Sequence, residues 1–133
     1  MTRDGPLLPV LAVIAVGAVL GAWLRWGLSY WLNPRTGLVP GGTLAANLIG
    51  GYLVGVTVAA LAAHPAVSPY WRLLIITGFL GGLTTFSTFS AESVALLLGE
   101  HWGAALLHTL AHLGGSIAAT LLGIVSYRLL AAG

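Results

Sequence analysis

Gly78-Phe79-Leu80-Gly81-Gly82-Leu83-Thr84-Thr85-Phe86-Ser87-Thr88-Phe89-Ser90 is the stretch whose interpretation settles the architecture of this chain. It lies inside a hydrophobic segment running from Trp71 to about Leu98. Three glycines and five hydroxyl residues in thirteen positions make a poor helix interior. Each Gly costs about 1 kcal/mol against Ala in a helix, and Thr is only a moderate helix former. Backbone that leaves helical geometry at membrane depth is tolerated only where protein or a water-lined cavity satisfies it. If this segment crosses a bilayer, the run at 81–85 therefore predicts a helix broken mid-membrane, with freed carbonyls able to face a cation.

Composition says that it does cross. Of 133 residues, 58% are hydrophobic and only 6% charged, and the mean hydropathy is +0.98. Soluble domains carry about 25% charged residues. The eight charges are Arg3, Asp4, Arg25, Arg35, Arg72, Glu92, Glu100 and Arg128, and the uncharged runs between them cover 5–24, 36–71, 73–91 and 101–127. A span needs about 20 apolar residues, so there is room for four helices and little else. Turn chemistry at Asn33-Pro34-Arg35-Thr36-Gly37 and at Pro40-Gly41-Gly42-Thr43, and two prolines in Pro65–Pro69, divide the chain into spans at about 7–32, 42–63, 70–98 and 103–130. Thr43 is the expected N-cap of the second. The first apolar run continues without an A-x-A-like exit, so it reads as a retained span rather than a signal peptide. The fold class is an all-α membrane protein, one four-helix transmembrane domain whose short loops make successive helices antiparallel neighbours. Trp23, Trp26, Tyr30, Trp31, Tyr70, Trp71, Trp102 and Tyr127 fall near span ends, where amphipathic rings settle at headgroups.

Several function classes are excluded. No cysteine is present, which removes disulfides, thiolate chemistry and sulfur-ligated metals. The net charge of +2 rests on five scattered arginines, which form no cluster able to track a nucleic acid. No nucleophile with base and orienter, HExxH helix or phosphate-cradling loop occurs, so an enzyme is not expected. Orientation is weakly specified. With the N-terminus inside, Arg3, Arg72 and Arg128 face Arg35 and, at the span end, Arg25. So small an arginine bias permits insertion both ways, with two opposed copies pairing about an axis in the membrane plane; alternatively the first helix alone sets the orientation.

The polar residues within the spans carry the functional information. Gly42, Ala46 and Gly50, with Gly51 and Gly55, are small-residue faces suited to close helix pairing. Asn47 lies among them, and a carboxamide in hydrocarbon must face protein or a wet path. Glu92 is the one acidic residue deep in a span and Arg25 the candidate basic one, and nothing requires that they pair. In the fourth span His108, His112, Ser116 and Thr120 recur every four residues and so share a helix face. Such a ladder suits stepwise replacement of a hydration shell. Back-bonding to i−4 carbonyls accounts for Ser116 and Thr120 but leaves the histidines over. Two histidines alone make a weak metal site. After the glycine and threonine run, Phe86 and Phe89 at i, i+3 are core packing or, with Thr85, Ser87, Thr88 and Ser90 around them, ring edges for a small anion.

Three segments resemble the Fluc (CrcB) family of fluoride channels: Gly21-Ala22-Trp23-Leu24-Arg25, Gly42-Thr43-Leu44-Ala45-Ala46-Asn47-Leu48-Ile49-Gly50, and, most specifically, Gly78 through Phe89. Length, span plan and weak charge bias agree, so the resemblance covers nearly the whole chain. It implies an antiparallel homodimer of dual topology in the cell (inner) membrane, with two fluoride pores at the subunit interface. These let fluoride leak out of the cytoplasm and so relieve its toxicity. It further implies that Asn47 is the pore amide and that Phe86 and Phe89 present ring edges to fluoride, with Thr85, Ser87 and Thr88 in the hydroxyl-rich part of the motif. Gly81 and Thr84 would offer backbone carbonyls to a structural Na⁺ on the dimer axis. Arg25 and Glu92 match the family's basic and acidic residues.

This chain departs from the family in the fourth span. His108 and His112, followed by Ser116, stand where the family typically has a Tyr and then a Ser. Histidine donates a hydrogen bond in either charge state, so permeation survives while becoming pH-sensitive, with flux expected to rise as pH falls toward about 6. The rival reading is a proton-coupled exporter resembling small multidrug-resistance transporters. That class needs an acidic residue in the first span, where this chain has only Arg25. A non-transporting assembly subunit is a third reading, but leaves the polar ladder without purpose.

Overall fold

The computed structural model describes residues 4–133; Arg3, one of the arginines in the orientation count, lies outside them. Helix α1 (Leu7–Leu32) ends in a 3₁₀ turn (Asn33–Arg35) and is followed by α2 (Gly41–Ala63). The third hydrophobic stretch comprises α3 (Pro69–Arg72), a π-helical segment (Leu73–Leu80), α4 (Gly81–Leu83) and α5 (Phe86–Leu98); α6 (Trp102–Ala131) completes the chain. Four stretches, Leu7–Arg35, Gly41–Ala63, Pro69–Leu98 and Trp102–Ala131, are long and apolar enough to cross a membrane. The protein is a multi-pass membrane protein.

Thr43 does not cap α2. Pro40 precedes the helix without a side-chain cap, Asn33 Oδ1 accepts from the Gly42 N–H at 2.8 Å, and Thr43 is free to point inward. Proline at the N-cap leaves the first-turn amides without a side-chain acceptor of their own, so the preceding turn supplies two, Asn33 Oδ1 and, for the Gly41 N–H at 2.8 Å, Thr36 Oγ1.

Small residues set the packing. A Cβ at Gly55 would run into the Thr120 carbonyl, and one at Gly123 into the Tyr52 carbonyl, so α2 and α6 touch backbone to backbone. Contact numbers rise together along them, Leu48 with Gly115, Gly51 with Ser116 and Gly55 with Thr120, so the two helices run parallel. Similarly Gly17 and Gly21 of α1 admit the backbone at Leu74 and Phe79, while Gly78 and Gly82 admit Ile14 and Ala18. Asn47 of α2, in contrast, meets Thr85, and Thr43 meets Glu92, so α2 and α5 run in opposite directions. Close approach of this kind is how helices associate in lipid, where apolar burial offers little advantage. The interior is correspondingly small: Ala46, Leu80 and Leu83 are fully enclosed, flanked by Leu28, Leu53, Val54, Ile75 and Phe79. Leu106, Leu110, Leu113, Ile117 and Leu121 leave an apolar face of α6 outward.

Candidate functional site

The site forms where the backbone of Thr84 and Thr85 is extended, with ψ 153° at Thr84 and φ −152°, ψ 122° at Thr85. Two extended residues within a helical stretch strand the peptide groups on either side. The Thr85 N–H, which an unbroken helix would return to the Gly81 carbonyl, donates instead to Asn47 Oδ1 at 2.8 Å. Asn47 Nδ2 donates to the Thr85 carbonyl at 3.1 Å, so one carboxamide holds both faces of the same peptide residue. The Thr88 N–H, due at the Thr84 carbonyl, donates to Thr85 Oγ1 at 3.1 Å, which caps α5. Both carbonyls named in the sequence, Gly81 and Thr84, thus lose their helical donors. The Gly82 carbonyl is treated differently, accepting from Arg25 Nε at 3.1 Å. A guanidinium at the carboxyl end of a helical segment also answers the partial negative charge there.

Asn47 has a third partner. Its Nδ2 lies 3.0 Å from His112 Nδ1. Because Oδ1 is committed to the Thr85 N–H, the carboxamide cannot be turned round, and Nδ1 of His112 must accept. The proton of the neutral ring therefore sits on Nε2, an atom without a hydrogen-bond partner among the described residues.

Around this junction lies a groove of about 280 Å³, lined by Asn47, Thr84, Thr85, Phe86, Phe89, His112, Leu113, Ser116 and Ile117. Phe86 is 71% exposed and Phe89 only 7%, with their ring centroids 5.4 Å apart. Phe89 also packs on His112 at 4.8 Å and stacks on His108 at 5.2 Å. Ser87 Oγ and Thr88 Oγ1 each lie 3.2 Å from Thr85 Oγ1, a hydroxyl cluster joined to the groove through Thr85. His108 is fully buried behind Phe89 and does not line the groove. Thr120 Oγ1 reaches both the Ser116 carbonyl at 2.9 Å and the Gly51 carbonyl at 3.0 Å, stitching α6 to α2. Glu92 and Arg25 go to separate partners: Glu92 Oε1 accepts from Thr43 Oγ1 at 2.5 Å, and Oε2 lies 3.5 Å from His108 Nε2, within ion-pair reach but without a hydrogen bond. Thr43 is the residue that sequence reading misplaced. Its position one turn before Asn47, on the same face of α2, was the available clue.

Fold and site define a small multi-pass membrane protein with a largely apolar, aromatic-rimmed groove, carrying a few polar side chains, cut beside a non-helical peptide. Residues 12–124 match the family described as CrcB-like protein, Camphor Resistance (CrcB), and the chain belongs to that family. It is 57% identical over 127 residues to a protein of Cupriavidus pinatubonensis, covering 96% of this chain and 99% of the relative. A protein of Variovorax paradoxus is 58% identical over 126 residues (95% and 99% covered), and one of Pseudomonas syringae pv. maculicola 54% over 124 residues (93% and 98%). Each of these relatives bears the name fluoride-specific ion channel FluC.

Proposed function

We propose that this chain is a passive, fluoride-selective channel that lets fluoride leave the cytoplasm across the inner membrane. The observation that carries the reading is end-to-end similarity, at more than half identity, to proteins bearing that name. The groove is chemically suited to the task. A small, strongly hydrated anion needs several donors and no deep well, because it must leave again. The hydroxyls of Thr85 and Ser116, which line the groove, those of Ser87 and Thr88, joined to it through Thr85, and the ring edges of Phe86 and Phe89 supply donors without a fixed positive charge at the groove. The N-terminus of α5 adds its partial positive end. In this reading Asn47 positions the donors by holding Thr85 and His112, while its own amide edges the passage.

The chain acts as an antiparallel, dual-topology homodimer. The groove is open on one side and Phe86 projects from its rim, which a second copy would close. The third span is broken within the membrane at Thr84 and Thr85, and the carbonyls of Gly81 and Thr84, released from helical bonding, are the groups that would hold a structural Na⁺ between subunits. Carbonyl oxygens are ligands for a hard cation, and the ion's contribution would be to fix the two breaks against one another. Arg25 keeps the intervening Gly82 carbonyl out of that set.

A proton-coupled exporter finds no support: Arg25 is the one charged residue of α1. Protein reconstituted in liposomes with a potassium ionophore should discharge a fluoride gradient, read with an ion-selective electrode, and leave a chloride gradient standing. Efflux that requires an imposed proton gradient, or that matches bare lipid, would overturn the proposal.

A further inference from the structure

The four buried side-chain nitrogen or oxygen atoms without a hydrogen-bond partner among the described residues are Glu92 Oε2, His108 Nδ1, His108 Nε2 and His112 Nε2. They belong to three residues that converge. One ligand atom from each of Glu92, His108 and His112 falls within 4.8 Å of the others. Orphaned buried polar atoms are rare in folded proteins and call for a water or an ion. Here they are concentrated at one point, on side chains 0% and 3% exposed in the case of the histidines.

From this convergence we infer that Glu92, His108 and His112 form a site for a borderline divalent metal ion, with Zn²⁺ as occupant. Two imidazoles and one carboxylate suit Zn²⁺, Co²⁺ or Ni²⁺; a hard cation would want oxygens throughout, and an anion would meet the Glu92 carboxyl. The 3.5 Å between Glu92 Oε2 and His108 Nε2 is close to the edge of a tetrahedron with bonds of about 2.1 Å, about 3.4 Å. His108 and His112 stand one turn apart on α6 with ring centroids 4.4 Å apart, so small side-chain rotations bring the third ligand in. Thr43 holds the other carboxyl oxygen at 2.5 Å and thereby aims Oε2 at the histidines, the support that a ligating carboxylate ordinarily receives. The groove gives the ion its route, because His112 lines it.

Ligation has a structural cost that makes it consequential. His112 now carries its proton on Nε2 and accepts from Asn47 at Nδ1. To ligate through Nε2 the ring must move that proton to Nδ1, which then faces the Asn47 amide donor to donor. The Asn47–His112 bond is surrendered, one neutral hydrogen bond against a metal–nitrogen bond. A divalent cation fixed beside the groove would hold a passing anion by its charge, a deeper well than a passage can tolerate, so anions would be trapped where they should pass. Zn²⁺ is therefore an inhibitor of conduction. That consequence rests on the channel reading; the binding of the ion does not.

Tag-free protein, stripped with a chelator and held in fluoride-free detergent solution, is titrated with Co²⁺ while the visible d–d absorption of low-coordinate cobalt is followed. Zn²⁺ is then added in competition. The expected result is one Co²⁺ per chain, displaced by Zn²⁺, with affinity reduced at least about tenfold in His108→Gln and in Glu92→Gln. The double variant His64→Gln with His101→Gln, which alters the two exposed loop histidines, should bind as the parent does. Absence of the absorption band, its loss in the His64/His101 variant, or its persistence unchanged in both His108→Gln and Glu92→Gln would overturn the site. Should His108→Gln fail to fold, the near-isosteric Glu92→Gln decides, together with zinc X-ray absorption of the parent, which must show two imidazoles. In liposomes Zn²⁺ should block fluoride efflux of the parent and not of Glu92→Gln. Liposomes with no efflux even without metal would remove the channel reading, and the cobalt band would still decide the site.

Discussion

Replacing Asn47 by Ala tests the junction most directly. Three hydrogen bonds disappear: Thr85 N–H to Oδ1 at 2.8 Å, Nδ2 to the Thr85 carbonyl at 3.1 Å and Nδ2 to His112 Nδ1 at 3.0 Å. A buried group left without its partner costs about 1–3 kcal/mol. Thr85 is half-buried beside an open groove, so water recovers part of that for its two peptide groups. Taking about 1 kcal/mol for each of the three gives a loss of about 3 kcal/mol, of which about 2 kcal/mol is local to Thr85. Two kcal/mol corresponds to roughly 30-fold faster opening. Hydrogen exchange read by mass spectrometry should accordingly quicken about 30-fold at the Thr85 amide, with peptides of α1 unaffected. Asn47→Asp separates the contributions. It keeps an acceptor for the Thr85 N–H, so protection at that amide should persist. It also sets an oxygen against the Thr85 carbonyl and removes the donor to His112, so overall stability should still fall. Exchange at Thr85 within about twofold of the parent in Asn47→Ala would show that the carboxamide does not hold the extended peptide, since a retained hydrogen bond leaves opening unchanged.

Phe86→Ile should slow fluoride efflux by about tenfold or more, equivalent to about 1.4 kcal/mol, while changing stability by less than about 0.5 kcal/mol because the ring is exposed; unaltered flux assigns the ring to packing. Gly55→Ala, which forces a methyl into the Thr120 carbonyl, should destabilise by about 1–3 kcal/mol or more in a detergent unfolding titration, whereas Gly114→Ala, which meets nothing within 4 Å, should be neutral or mildly stabilising.

What could be read in the chain and what could not divide along a physical line. Eight charges in 133 residues leave four uncharged runs, and span number follows from run length against bilayer thickness, a comparison needing no partner. The helix face carrying His108, His112, Ser116 and Thr120 is likewise fixed by a four-residue period. Periodicity says which side chains share a face and is silent about what lies opposite. Hence Thr43, whose sequence position suits an N-cap, reaches 49 residues along the chain to Glu92, and Arg25 finds a bare carbonyl 57 residues away rather than the one buried acid. Hence, too, two histidines one turn apart part company, His112 to the groove and His108 behind Phe89. One demand organises the junction itself. Thr84 and Thr85 strand peptide groups within a membrane-spanning stretch, where water at the groove relieves them only in part, so whichever polar side chain the packing brings within reach is recruited: Asn47 to the Thr85 amide and carbonyl, Arg25 to the Gly82 carbonyl, Thr85's own hydroxyl to Thr88. Those recruited side chains are then unavailable for one another. Glu92 is left to Thr43 and to a histidine it does not quite reach, and the unsatisfied atoms of the molecule collect at that point because the junction has used the other donors.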